Sequence, residues 1–326
     1  MKPFVLSVSV IYCSILCFGQ NANYKKEQST GYRGSVIKDL KAVKGLNFCV
    51  IGDWGRYGDY YQKAVAEQLS SAVVGVDASF IISTGDNIYP NGVISEYDPA
   101  WKYAYEDIYV SYPTHITWYV VLGNHDYKTN PDAEVAYSKI SARWHMPSRY
   151  FSIKKNIGKD SANSAEFFFL DTTPFQKEYY TDADYEKGVR GNDTTAQRNW
   201  LINGLKNSTA KWKFVVGHHP LYSAGKRKGK TGDMIDAFQD VFEKYKVDAY
   251  FCGHEHQLEV DQAEGFHFYE FISGAGSEST AVTSAPFAKF TVSDHGFLTA
   301  SVTNNEMLVQ YINAEGKILY STIIKK

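Results

Sequence analysis

The chain has 326 residues, 44% hydrophobic and 15% aromatic, enough for a sizeable core in one large α/β domain or two modest ones. Its formal net charge of −2 excludes long-range attraction to nucleic acid or to an anionic membrane surface. Any affinity for phosphate has to come from a local site.

At the N-terminus Lys2 precedes an apolar run over 4–18, and Gly19, Gln20 and Asn21 follow, the pattern of a secretory signal. The run is short for a membrane span and has no basic flank directly after it, so no stable membrane anchor is expected once the segment is cleaved. Export follows, to a secreted or periplasmic location. Removing the segment leaves Cys49 and Cys252, both in expected buried strands, where free core thiols are the default and one bridge is possible. The expected organisation is a signal peptide over 1–20, an exposed polar lead-in over 21–44 and a single domain over 45–326.

A strand over 46–51 ends in Gly52-Asp53-Trp54-Gly55, and a helix over 60–72 follows with Ala64, Val65, Leu69 and Ala72 on one face. The next strand, 78–82, leads to Gly85-Asp86-Asn87-Ile88-Tyr89-Pro90, and a third, 117–122, to Gly123-Asn124-His125-Asp126-Tyr127. A strand over 167–170 and a helix over 194–205 precede a strand over 214–216 that stops at Gly217-His218-His219-Pro220. A helix over 233–245 then feeds a strand over 249–252 and Gly253-His254-Glu255-His256. Beyond 258, runs at 266–272, 287–292, 296–303, 306–312 and 317–324 suit a second sheet built as a meander, with Asn304-Asn305 as a hairpin turn.

Five apolar strands thus stop at a glycine followed within one or two residues by Asp, Asn or His. Sites in α/β sheets form where loops leave the carboxyl ends of strands, and glycine is expected to let the backbone turn sharply there. The repetition puts Asp53, Asp86, Asn124, His218, His254 and His256 at one edge of the fold. For both imidazoles of the last block to reach neighbouring positions on one centre, the strand must break at Gly253. Carboxylate, amide oxygen and imidazole suit cations such as iron, zinc and manganese. So many donors exceed the needs of one catalytic ion; two ions sharing a carboxylate, about 3.5 to 4 Å apart, use them well and clamp the oxygens of a phosphoryl transfer.

Gly52-Asp53-x-Gly55, Gly85-Asp86-x-x-Tyr89, Gly123-Asn124-His125-Asp126, Gly217-His218 and Gly253-His254-x-His256 together resemble the blocks of the purple acid phosphatases, within the calcineurin-like metallophosphoesterases. Size and spacing are most similar to the small, mammalian-type tartrate-resistant enzymes. The resemblance implies an α/β (α+β) fold, a four-layer sandwich of two mixed β-sheets flanked by helices. It implies a secreted, monomeric acid phosphatase acting on monoesters, small-molecule or protein, through a binuclear centre and a metal-bound hydroxide. By position, Asp53, Asp86, Tyr89 and His256 would hold Fe(3+), and Asp86, Asn124, His218 and His254 a divalent Fe2+, Zn2+ or Mn2+, with Asp86 bridging. Tyr89 marks the purple branch, since a phenol ionises readily on a ferric ion. His125 is expected to bind phosphate or to protonate the leaving alkoxide.

One departure stands out. Mammalian-type enzymes carry a further His in the loop after the Gly-His block; here the loop over 223–232 has none, and Lys226 or Arg227 could meet phosphate instead, or the loop could be simply solvated. Asn87 and Tyr127 are candidates to line the pocket, Asp126 to orient His125, and His219 to pack beside or support its neighbour. Glu255 is expected to point away from the metals. A phosphodiesterase, a phosphoprotein phosphatase and a non-catalytic phosphate-binding or adhesion protein remain as alternatives.

Overall fold

The computed structural model describes residues 37–158 and 160–326. The signal segment expected over 1–20 and most of the lead-in lie outside the described residues. Among the described residues two seven-stranded sheets carry the fold. In the first, Leu46–Ile51 (β1) has Phe80–Ser83 (β2), Thr117–Val120 (β3) and Trp144–His145 (β4) on one side; Gly296–Val302 (β12), Glu306–Asn313 (β13) and Ile318–Lys325 (β14) lie on the other. The second runs in the order Ala288–Val292 (β11), Leu258–Asp261 (β9), Tyr269–Ser273 (β10), Ala249–Cys252 (β8), Trp212–Val216 (β7), Asp160–Phe169 (β6) and Phe151–Ile157 (β5).

This division corrects the expectation that every run after 258 builds the second sheet. The edge of β1 away from β2 carries backbone groups that need partners, and the fully buried β12 supplies them in antiparallel register from Leu46↔Val302 to Val50↔Leu298. Of the strands after 257, β10 pairs with β8, β9 with β10 and β11 with β9, extending the second sheet. The turn at Asn304-Asn305 does connect a hairpin, β12 to β13.

Strands β1, β2 and β3 are mutually parallel, as are β6, β7, β8 and β10. Parallel order is what brings the carboxyl ends of each set to one edge. Between the sheets the Phe48 ring stacks on Phe80 at 5.1 Å and meets Phe167 and Phe251 edge-on at 5.3 and 5.7 Å, so β1, β2, β6 and β8 share one aromatic contact. Phe48→Ala would remove about 3–5 kcal/mol there. Cys49 and Cys252 are both free and buried, and burial raises both thiols.

Helix α1, Gln62–Val76, buries Val65, Leu69 and Val76 and ends on Asp77 in the left-handed region. Helix α2, Thr194–Asn207, starts where the Asp193 side chain accepts from Ala196 N, capping an otherwise unpaired donor. The helix expected over 233–245 contains a π-helical turn, Ile235–Gln239, in its middle, and the Ala237 carbonyl in that turn accepts from Arg198 Nε at 2.8 Å. Ile37 is buried in the core, with Leu40 packed against it, so the last residues of the expected lead-in belong to the body of the fold. Among the described residues no helix is long and apolar enough to cross a membrane.

Candidate metal centre

Loops after β1, β2, β3, β7 and β8 bring the expected residues together from both sheets. On one side the Tyr89 hydroxyl lies 2.9 Å from Asp86 Oδ2, 3.1 Å from Asp53 Oδ1 and 3.1 Å from His256 Nε2. On the other, Asp86 Oδ1 is 3.4 Å from His218 Nε2, while Asn124 Oδ1 lies 3.2 Å from that nitrogen and 2.9 Å from His254 Nδ1. His218 Nε2 and His254 Nδ1 are 3.1 Å apart. Asp86 therefore turns one oxygen to each group. Asp53, Asp86 and His218, and His218, His219 and His254, are the sets among the described residues whose donor atoms lie close enough to hold an ion.

Neighbours fix which atom of each side chain is available. His218 donates Nδ1–H to the Thr84 carbonyl at 2.8 Å, leaving the Nε2 lone pair toward Asp86 and Asn124. Asn124 Nδ2 donates to the Tyr185 hydroxyl at 3.1 Å, which turns Oδ1 toward the imidazoles. On the Tyr89 side the hydroxyl lies within reach of carboxylate oxygens from Asp53 and Asp86 and of His256 Nε2. Two buried carboxylates facing one phenol leave more acceptors than the phenolic proton can satisfy, an imbalance that a cation among them would offset.

The backbone shows where the turns are made. Asp53, Asp86 and His254 themselves adopt left-handed conformations, with φ of 58°, 49° and 68°. Side chains other than glycine rarely tolerate this region, and such strain concentrates at functional sites. Gly253, expected to supply the bend, instead supplies room: a Cβ there would collide with Asp53 Oδ2, and one on Gly123 with Asp86.

The chain matches the calcineurin-like phosphoesterase family over residues 46–258. Among curated proteins it is 35% identical to purple acid phosphatase 17 of Arabidopsis thaliana over 91% of this chain and 90% of that one. It is 31% identical to tartrate-resistant acid phosphatase type 5 of Oryctolagus cuniculus over 87% of this chain and 92% of that one. This chain belongs to the calcineurin-like phosphoesterases, among the purple acid phosphatases. The likeness to mammalian sequences expected from spacing thus extends to plant ones of at least equal identity. Of solved structures, one described as GAP50, the anchor in the inner membrane complex of Plasmodium, has a TM-score of 0.75 at 24% identity over 87% of this chain and 89% of that one. The Lupinus luteus purple acid phosphatase PPD1 has a TM-score of 0.63 at 15% identity over 87% of this chain and 54% of that one. Both share the two-sheet metallophosphoesterase fold.

In this phosphoesterase most of the shifted groups suit cation binding, while His256, although burial opposes it, is raised above the ordinary imidazole value by Asp53 and Asp86, so an ion there would have to displace its proton. Burial works against ionising Asp86, but His218, His125, the His125 N–H and the Tyr89 hydroxyl outweigh it and lower its carboxyl below the usual range. Burial, with His218 and Arg227 nearby, holds His219 well below the ordinary imidazole value; burial and the same cluster do so for His254. Neutral imidazole is the form that binds metal. Burial and the carboxylates of Asp53 and Asp86 push the Tyr89 phenol well above its ordinary value, so a strong positive charge is needed to ionise it.

His125 lies at the rim, its Nδ1 2.5 Å from the Pro90 carbonyl and its Nε2 4.0 Å from Asp86 Oδ2. Arg227 is half-buried and its charge reaches His219 and His254, whereas Lys226 is exposed. Glu255, buried, turns toward that loop, accepting from Arg227 N at 2.9 Å and Ser223 Oγ at 2.7 Å.

Other expected roles do not hold. Asn87 is fully buried and faces inward, donating to the Val121 carbonyl and Glu134 at 2.9 Å and accepting from Ser83 Oγ at 2.5 Å. It cannot line a pocket, because its polar atoms pair the loop after β2 with the interior. Asp126 accepts from the N–H groups of Gly123, Asn87 and Ile88, bracing two loops instead of orienting His125. Tyr127 is buried against Asp171 and Arg149.

Several supports had no sequence signal strong enough to find them. Thr172, after β6 and without a glycine block, accepts from the N–H groups of His218 and His219 at 3.2 and 3.1 Å. Its hydroxyl and that of Tyr179 also meet the two His219 ring nitrogens at 2.9 and 3.1 Å, so His219 supports its neighbours. The segment after β10, Gly274-Ala275-Gly276-Ser277-Glu278, closes the other side. Ser277 Oγ donates to the Asp53 carbonyl at 2.6 Å. Its paired glycines behind an apolar run repeated the signal used elsewhere, but no Asp, Asn or His followed within two residues.

Proposed function

We propose that the protein is an exported acid phosphatase that hydrolyses phosphate monoesters at a two-metal centre. The carrying observation is Asp86, one oxygen turned to Tyr89 and the other to His218. Asp53, Asp86, Tyr89 and His256 would hold a ferric ion, and Asp86, Asn124, His218 and His254 a divalent iron, zinc or manganese ion, which fits a hard, anionic donor set on one side and a neutral, nitrogen-rich set on the other. When bound, such a pair offsets charge on the phosphoryl oxygens and supplies an ionised water as nucleophile.

The protein's own groups do the rest. With Nδ1–H donated to the Pro90 carbonyl, His125 keeps Nε2 free at the rim, and its protonated form can give that proton to a leaving alkoxide. Arg227, held by Glu255 near His254, is the better-supported phosphate contact of the basic loop, and Lys226 stays in solvent. The residue pattern over 1–20 supports export, and the slightly negative overall charge of −2 supports small or protein phosphate esters over nucleic acid as substrates. We read the protein as a monomer.

The test is hydrolysis of p-nitrophenyl phosphate against its bis ester and a phosphopeptide, with metal analysis and a visible spectrum on the same sample. Rapid monoester turnover with two metals per chain and a phenolate band is the expected result. Preference for the bis ester would make the protein a diesterase, preference for the phosphopeptide a protein phosphatase. A fully loaded protein inert toward all three would place it with non-catalytic uses of the fold.

A further inference from the structure

Two charged residues outside the proposed donors lie against the Tyr89–His256 side. The Arg56 guanidinium carbon sits 3.8 Å from the centre of the Tyr89 ring, and its Nη2 is 2.6 Å from Glu278 Oε2. That same oxygen is 3.7 Å from His256 Nδ1, the ring nitrogen opposite the one that meets the Tyr89 hydroxyl. One ion pair thus touches two side chains of the proposed ferric site from behind.

Both partners are held in place. The buried Gln62 accepts from Arg56 N at 3.0 Å and Gly58 N at 2.7 Å and donates to the Ala104 carbonyl at 2.8 Å, which fixes the turn carrying Arg56. Opposite it, Gly276 N donates to the Gly52 carbonyl and Tyr61 N to the Ser277 carbonyl, each at 3.0 Å, docking the Glu278 segment on the end of β1. Arg56 is 17% exposed and Glu278 35%, so the guanidinium over the ring is largely out of water. A cation there stabilises the ring electrons more than at an exposed site.

We propose that Arg56 and Glu278 are a positioning pair for the Tyr89–His256 half of the centre: Glu278 orients His256 through Nδ1, and Arg56 lowers the energy of the Tyr89 phenolate electrons. The inference rests on the reading of Tyr89 as an iron-bound phenolate. At 3.7 Å, beyond hydrogen-bond reach, the Glu278 carboxylate acts on the ring through its charge, favouring the proton on Nδ1 and the lone pair on Nε2. A cation over a phenolate makes its electrons harder to transfer to iron, which raises the energy of the charge-transfer band. Removing the cation moves that band to longer wavelength.

The experiment loads wild type, Arg56→Met, Arg56→Lys and Glu278→Gln with iron in air, then records iron content, visible spectrum and the rate of iron loss to a chelator. Arg56→Met, which keeps the length and loses the charge, is expected to absorb at longer wavelength, with Arg56→Lys nearer wild type. Glu278→Gln is expected to release iron about tenfold faster. An unmoved band in iron-replete Arg56→Met overturns the inference and leaves the ferric reading standing. Wild type without any phenolate band overturns both. If Arg56→Met does not fold, the other two variants decide: a wild-type band in Arg56→Lys is expected, and wild-type iron release from Glu278→Gln overturns the inference.

Discussion

Asp86 at a strand end and Glu259, Asp261 and Glu270 within β9 and β10 are all hidden from water, yet their surroundings treat ionisation in opposite ways. Around Asp86, burial is outweighed by His218, His125 and hydrogen-bond donors, so the carboxylate is favoured. Glu270 has the N–H groups of Leu221 and Tyr222, but burial wins and pushes it up to about 8. Asp261 is held well above the ordinary carboxylate value by burial and by Glu259 and Glu270 beside it. Neither group is short of carboxyls. What separates them is the neighbours: imidazoles and a phenol at the strand ends, other acids and backbone donors in the second sheet. Density of acid does not make a cation site; mixed donors with their lone pairs turned inward do.

The sharpest way to break the contrast is Asp86→Ala, which removes the oxygens turned to both halves. Loss of several kcal/mol of charge stabilisation predicts a fall in kcat/KM of ~10³-fold or more, with fewer than two metals per chain by elemental analysis. Next is His125→Ala, expected to lose roughly 10²–10⁴-fold on an alkyl phosphate and much less on p-nitrophenyl phosphate, whose leaving group needs little protonation. Both metals should remain; equal losses on the two esters would remove His125 as an acid. Tyr89→Phe tests one half alone: the visible band disappears and iron binds about tenfold or more weakly. A surviving band would move the phenolate assignment to another tyrosine.

The smallest effect on activity is expected across the contrast, at Glu270→Gln, which keeps an acceptor for Leu221 and Tyr222 and should change turnover less than about twofold. Its signature is in stability. The folded value of about 8 lies above the ordinary glutamate value of about 4.3, so this stabilisation is fully present below about pH 4.3 and is lost as pH rises through 8. Thermal midpoints of the metal-free protein between pH 4 and 9 should therefore fall less steeply in the variant than in wild type. Parallel curves would mean that Glu270 is not neutral in the fold.

Much of the site was legible because each block combines a local signal with a distinct chemistry. An apolar run, a glycine and then Asp53, Asp86, Asn124, His218 or His254 can be read without knowing what lies opposite. Asn87 misled because a polar residue beside Asp86 looks the same on paper whether its amide faces the pocket or, as here, Val121 and Glu134. Arg56 and Glu278 were silent for the same reason: 222 residue positions separate them, and nothing local to either announces a 2.6 Å ion pair.

Sequence by itself determined the kinds of donor, their order along the chain and their place at strand ends, because hydrophobic runs and the glycines that end them are local properties. Tertiary structure decided the rest: which oxygen of Asp86 faces which group, how the C-terminal strands divide between two sheets, and which charges back the centre. These depend on strand pairing and on contacts across more than 200 positions, such as His254 N donating to Asp53 Oδ2 at 2.9 Å, where packing and hydrogen-bond satisfaction select among partners that local pattern leaves open.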